Sequence, residues 1–334
     1  MNEVSITIVA TVRNEAGTIA AFVDSLLAQT HKPDQIIIVD GESTDGTLQI
    51  LREYQSRGQI RVISKPCNIA RGRNLGIAAA TTSHLAITDA GCKVSADWLE
   101  HIVHCFQASP APDVVAGNFR FEVHSAFENA VVLATFQPGR DESETAQYYP
   151  SSRSVAFSKA AWERAGGYPE WLYAAEDTLF NIRLRQVGCR FIFCKEAIVL
   201  WRPRETWRAL AKQRINFSRG NARVGIGTSG YLKNLYIHAA VLLLMAGVVA
   251  HSLLPLAGLA VFAWHVRNHL WPQASAASRD WSTRLRVLAV MEFVRVVNLY
   301  GFLQGRWDRV RDRETYVDSQ IRYMGSANVD QLEF

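Results

Sequence analysis

Carboxylates, arginines and small hydroxyls gather at a few places in the first 220 residues, and their types and spacing define the chemistry on offer. An apolar run ends in Asp40, within IIIVDGESTDGT at 36–47. A carboxylate at such a tip can accept hydrogen bonds from a nucleobase N–H, and it can equally cap the turn through backbone amides. Asp89, in LAITDAGCKVSADWL, follows a second apolar run. It suits Mg2+ or Mn2+, which take oxygen ligands and share them with substrate phosphates, and it equally suits a turn or an N-cap. Glu176-Asp177 follows the aromatic stretch PEWLYAA. Acidic residues in the first turn of a helix complement its dipole, and one beside an incoming hydroxyl can act as general base. Arg71 and Arg73 lie in NIARGRNLGIAAA, and Arg219 and Arg223 in FSRGNARVG. Arginines bind diphosphates through paired donors; for the second pair a solvated basic face or a lipid-headgroup patch serves equally well.

These residues need elements to hold them, and the first hundred residues supply an alternation. Residues 5–11 form a β-branched run that reads as a buried strand. A helix follows with Ile19, Phe22, Val23, Leu26 and Leu27 on one face, stopped by Pro33. Residues 35–40, 60–63 and 84–89 read as strands. Between them come a helix with Thr44 and Asp45 as N-cap candidates and an alanine-rich helix over 70–80. A further helix contains Trp98, Leu99, Ile102 and Val103. This order predicts an α/β fold, a Rossmann-like, mostly parallel sheet with helices on both faces. Right-handed crossovers bring the strand C-termini to one ligand-binding edge. Asp40, Asp89 and the turn 11–15 are expected there together. Farther on, 114–123 predicts short strands and 137–153 a polar loop over the site. A strand is expected at 154–157, a short helix at 160–165, a helix at 176–187 and a last strand at 190–194.

Composition bounds the rest. The 334 residues are 49% hydrophobic, which excludes a disordered chain. The formal charge of +5 suits an anionic substrate or a membrane surface. The five cysteines, Cys67, Cys92, Cys105, Cys189 and Cys194, have no zinc-site spacing and read as free thiols in a reducing compartment. The first residues carry no secretory signal, so the catalytic part is expected to face the cytoplasm. From Asn234 to Val266 there is no Asp, Glu, Lys or Arg. As one helix that run would be about 50 Å long against a hydrocarbon core of roughly 30 Å. It reads as one tilted span or a short hairpin, and basic flanks on both sides favour the hairpin. A second apolar helix over 287–303 carries Glu292 and Arg295 and reads as interfacial or packed on the first segment. No G-x-G-x-x-G follows the first strand and no G-x-x-x-x-G-K-[ST] occurs, which disfavours a dinucleotide-dependent dehydrogenase.

Taken in order, TVRNEAGTI, IIIVDGESTDGT, NIARGRNLGIAAA, LAITDAGCKVSADWL and AGGYPEWLYAAEDTLFNIRLRQVG resemble the motifs of the family 2 glycosyltransferases, inverting enzymes of the GT-A fold. The resemblance covers roughly residues 4–200. It implies that Thr11, Arg13 and Glu15 line a nucleotide pocket, that Asp40 bonds the base, and that Arg71 and Arg73 lie near the donor diphosphate. It implies Asp89 as the first aspartate of D-x-D and metal ligand, and Asp177 as catalytic base with Glu176 beside it. Arg219 and Arg223 would serve the phosphates. Gly91 stands where D-x-D has its second aspartate, so either Asp89 holds the Mg2+ or Mn2+ together with water and diphosphate, or metal dependence is weaker than the family's usual. No Q-x-x-R-W is present, against a processive synthase. The resemblance therefore implies a hexosyltransferase using a nucleotide-sugar, with the Asp40 pattern leaning towards uridine. Its acceptor would be lipid-linked or a membrane-proximal glycan, as in exopolysaccharide or glycolipid assembly, with polysaccharide-assembly proteins as partners and no nucleic acid. It further implies a place at the inner membrane. The expected layout is a catalytic domain over 1–228, an apolar membrane-associated helical region over 229–305 and a polar basic tail over 306–334. The alternative, prompted by Gly91, is a non-catalytic membrane-bound nucleotide-sugar-binding subunit.

Overall fold

The structure, a computed structural model, describes residues 4–136, 149–246 and 254–325. In chain order the first half runs β1 (Ile6–Val12), α1 (Ile19–Leu27), β2 (Gln35–Asp40), α2 (Thr47–Ser56), β3 (Arg61–Ser64), α3 (Ile69–Ala79), β4 (His84–Asp89), β5 (Cys92–Val94), α4 (Trp98–Phe106) and β6 (Val114–Phe121). There follow α5 (Ala126–Thr135), β7 (Val155–Ser158), α6 (Lys159–Ala165), α7 (Glu176–Gln186), β8 (Phe191–Trp201), α8 (Trp207–Val224) and α9 (Thr228–Ala246). The chain closes with α10 (Leu254–His265), α11 (Trp271–Ala277), α12 (Trp281–Arg311) and α13 (Ser319–Met324). Two compact units result: Met1–Glu122 with Asp141–Arg202, and Val123–Arg140 with Pro203–Phe334.

In the first unit, eight strands among the described residues form one sheet in the order β3-β2-β1-β4-β7-β6-β8-β5. The first four are parallel, as the alternation predicts, and the register sets Val12 opposite Asp40 and Thr11 opposite Asp89. The three polar tips thus leave adjacent strands at one edge. β7 runs antiparallel to β4 and ends the parallel half, so the whole sheet is mixed. Helix α3 lies close on β1 because two of its residues lack side chains. A Cβ at Gly76 would stand 2.5 Å from Val9 Cγ1, and one at Gly72 2.7 Å from Thr11 Cγ2. That approach delivers Arg73 to the sheet edge.

Several local expectations change. The N-cap of α2 is Gly46, at φ 96°, rather than Thr44 or Asp45. Asp45 instead accepts from the Thr47 N–H and hydroxyl and from the Ala16 N–H, so its side chain ties two loops together. Residues 114–123 give one strand, β6. The last strand does not stop at Cys194 but runs eleven residues to Trp201. Lys195 and Glu196 are exposed within it, and the pairing with β6 continues past a register shift between Ala116 and Asn118. β5, too short to read from pattern, pairs antiparallel with that extension. Of the expected loop 137–153, residues 137–148 lie outside the described residues.

In the second unit α8 packs along α12, with α5 and α11 against them. The core includes Val131, Leu210, Leu270, Val287, Val290 and Met291. Gly301 and Gly305 face Ser218, the Arg219 carbonyl and Ala222, so two small-residue stripes set the α8–α12 approach. That packing draws α8 into the second unit, whose later part begins at Pro203. The apolar run 234–266 gives α9 and α10, which pack on each other; residues 247–253 lie outside the described residues. Among the described residues the one helix long and apolar enough to cross a membrane is Trp281–Arg311, and 33% of its most apolar window is buried.

Candidate active site

At the C-terminal edge of the parallel strands, the loop after β1 is stitched to the loop after β2. The Asn14 N–H donates to Ser43 Oγ and the Thr44 N–H to Asn14 Oδ1. The Glu15 N–H donates to Thr47 Oγ1. The serine, threonines and Asp45 of the ESTDGT turn therefore build the loop pair. Arg13 projects from it exposed, while Thr11 and Glu15 are half-buried; Glu15 Oε2 accepts from the Thr18 hydroxyl. Asp40 is fully buried and accepts from the Ser43 N–H and the Ser64 hydroxyl. Its turn-capping contacts are thus made.

A buried arginine joins the other acidic positions. Arg73 is 1% exposed. One terminal nitrogen donates to Asp89 Oδ1 at 2.8 Å and the other to Glu176 Oε1 at 2.7 Å. Its Nε has no hydrogen-bond partner among the described residues, and its guanidinium lies 5.2 Å from the Tyr168 ring centroid. Burial opposes the charge, but Asp89 and Glu176 more than offset it and raise the pKa. The bridge ties the tip of β4 to the first turn of α7. It also encloses Arg73, whose expected place was at the diphosphate. Burial and the neighbouring Asp177 push Glu176 up to about 7, against the pull of Arg73. Asp177 is half-buried, and its Oδ1 accepts from the Thr178 N–H at 2.8 Å.

Strain marks the same edge. Among the described residues three non-glycine residues have positive φ: Asn14 at 57°, Glu42 at 59° and Ala175 at 67°. They follow β1, follow β2 and precede Glu176, and such backbone persists where surrounding contacts over-determine it. Those contacts come partly from residues the sequence reading missed. Asn74 accepts from Trp162 Nε1 and the Tyr168 N–H and donates to the Tyr168 carbonyl. Asn68, the N-cap of α3, donates to the carbonyls of Glu170 and Leu172. The buried Tyr168 hydroxyl meets Ser152 at 3.0 Å. An asparagine just before an apolar helix was a usable signal for Asn68; nothing local announced Tyr168 or Ser152.

The remaining predicted arginines have partners of their own. Arg71 is exposed, 4.0 Å from Glu170. Arg219 and Arg223 belong to the second unit and both pair with Asp308 there, at 2.6 and 2.7 Å. No group of three or more His, Cys, Asp or Glu that could hold a metal occurs among the described residues. Gly91 is exposed with nothing near its Cβ direction. With one Asp89 oxygen taken by Arg73, the donor set fits a cation that completes its shell with diphosphate and water oxygens, not one caged by protein.

The sequence profile of glycosyl transferase family 2 matches residues 7–164. The O-antigen chain rhamnosyltransferase RfbN of Salmonella typhimurium is 23% identical over 206 residues, which cover 55% of this chain and 63% of that protein. The O-antigen chain rhamnosyltransferase WbaN of Salmonella anatum is 28% identical over 185 residues, covering 51% and 57%. The chain thus spans less than two thirds of these relatives' length. A mannosyltransferase from Pyrobaculum calidifontis, solved with GDP-Man and Mn2+, has a similar fold, with a TM-score of 0.55 and 20% identity over 88% of this chain and 87% of that one. Over residues 7–164 the chain thus resembles glycosyl transferase family 2, and it has the GT-A fold and is similar to O-antigen rhamnosyltransferases.

Proposed function

We propose that this chain is an inverting hexosyltransferase that moves a sugar from a nucleoside-diphosphate donor, UDP by preference, to a hydroxyl of a lipid-linked or membrane-proximal acceptor. The observation that carries the proposal is the buried Asp89–Arg73–Glu176 bridge. It fixes one carboxylate at the strand tip and leaves Asp177 as the partly exposed carboxylate of the same helix start. Asp177 takes the acceptor proton. The hydroxyl oxygen then attacks the anomeric carbon in line as the nucleoside diphosphate departs, and a single displacement inverts the configuration. A divalent cation held by Asp89 and the diphosphate would supply charge stabilisation to the leaving group. Thr11, Arg13 and Glu15 line the nucleotide side, with Asp40 directed to the base by exchange of its turn contacts; Arg71 and the pair Arg219 and Arg223 are further phosphate-binding candidates. Arg73 acts through the carboxylates it orients. The proposed setting is polysaccharide or glycolipid assembly on the cytoplasmic face of an inner membrane, alongside other assembly proteins.

Gly91, with no carboxylate in the second D-x-D position, favours one rival: a nucleotide-sugar-binding subunit without catalysis. Calorimetric titration with UDP and GDP, with and without Mn2+, joined to an assay of donor hydrolysis, separates the two. The enzyme reading expects Mn2+-enhanced binding and hydrolysis. Binding without any turnover supports the rival, and no binding in a folded sample contradicts both.

A further inference from the structure

We infer that the second unit lies flat on an anionic lipid surface, with the outer face of α12 in the headgroup–acyl boundary, rather than crossing a bilayer. The inference deepens the membrane-proximal reading above and rests on it. α12 has two unlike faces. One is packed: Val287, Val290, Met291, Val294 and Phe302 are buried, and Gly301 and Gly305 seat the helix on α8. The other exposes Trp281, Leu285, Val296, Tyr300, Leu303 and Trp307. Intervals of 3, 4 and 11 residues return a helix to one side, so these six make one stripe. From Trp281 to Trp307 it extends about 39 Å, beyond a hydrocarbon core of roughly 30 Å.

The neighbouring helix decides between spanning and lying flat. α8 packs along α12 and carries Arg208 and Lys212, both exposed, together with Arg214. A crossing α12 would take these cations into hydrocarbon, where unpaired charge is costly. A helix in the interface keeps them in water and sinks only its apolar stripe. The ends agree with this placement. Exposed Arg286 lies near the start, and exposed Arg306, Arg311 and Arg313 near the end. A span would place these basic ends on opposite sides of the bilayer, whereas a flat helix offers both to one anionic leaflet. Trp281 and Trp307 sit at the two ends of the stripe, as amphipathic rings do at a membrane interface.

The test uses the full chain and sealed vesicles of phosphatidylcholine, with or without about 30% phosphatidylglycerol. Flat binding predicts at least about tenfold tighter association with the anionic vesicles, lost in about 0.5 M salt. It also predicts about tenfold weakening in a Leu303→Ser, Trp307→Ser double variant whose thermal melt is unchanged. In sealed membranes, Ser282→Cys and Arg311→Cys chains treated with an impermeant maleimide, read by peptide mass, should label from the same side. Labelling from opposite sides overturns flat insertion and leaves membrane association standing. Failure to bind any vesicle, or a detergent-free dimer that covers the stripe, overturns both membrane readings while leaving the glycosyl-transfer proposal to its own assay.

Discussion

Arg73 is where the residue scale is most exposed to test, because it joins two carboxylates while itself out of water. Removing one partner of such a buried pair leaves an uncompensated charge and typically costs about 3–5 kcal/mol. Arg73→Ala should lower the unfolding free energy read from urea denaturation by that order. Arg73→Lys should recover only part of it, because its three donors sit on one nitrogen and cannot span the two carboxylates as the guanidinium's separate nitrogens do. Glu176 gives a pH signature. Its folded pKa lies above the carboxylate's ordinary value of 4.5, at about 7. The folded state therefore holds the proton more tightly, and this group's stabilisation is full below the unfolded pKa and lost as pH rises through the folded one. Melting temperature compared between wild type and Glu176→Gln should show the wild type losing ground between about pH 4.5 and about 7; a constant difference would contradict the raised pKa. The motif residues were legible because carboxylates ending apolar runs stand out in sequence. The ion-pair partners were not: Arg73 and Glu176 are 103 positions apart, and only the fold brings them together.

At the scale of elements, two glycine pairs do comparable work in the two units. Gly72 and Gly76 let α3 touch β1, and Gly301 and Gly305 let α12 touch α8. Overfilling such contacts typically costs about 1–3 kcal/mol. Gly76→Ala should destabilise by that amount on chemical denaturation, since its Cβ would stand 2.5 Å from Val9 Cγ1 on a rigid strand. Gly305→Ala should do so too, its Cβ meeting the Arg219 carbonyl and Ala222 Cβ. Neutral behaviour of either would mean the helices can shift apart. The parallel strands and their helices were legible because continuous β-branched runs alternate with a 3.6-residue period. β5 was not, being three residues long, and β8 runs past the expected end at Cys194 through the exposed, charged Lys195 and Glu196.

Across the whole molecule, composition located the apolar C-terminal region but not its organisation. A charge-free run is visible in sequence, whereas the small-residue contacts that join α8 to α12 depend on three-dimensional packing. The central proposal is chemical: that the bridge between Asp89 and Glu176 prepares Asp177 to act as base. The most direct test measures nucleotide affinity and sugar-transfer or donor-hydrolysis rate together, for wild type and Asp177→Asn. Affinity should stay within about twofold of wild type while the rate falls by about 10²–10⁴. An Asp177→Asn protein that turns over at the wild-type rate would contradict the proposal.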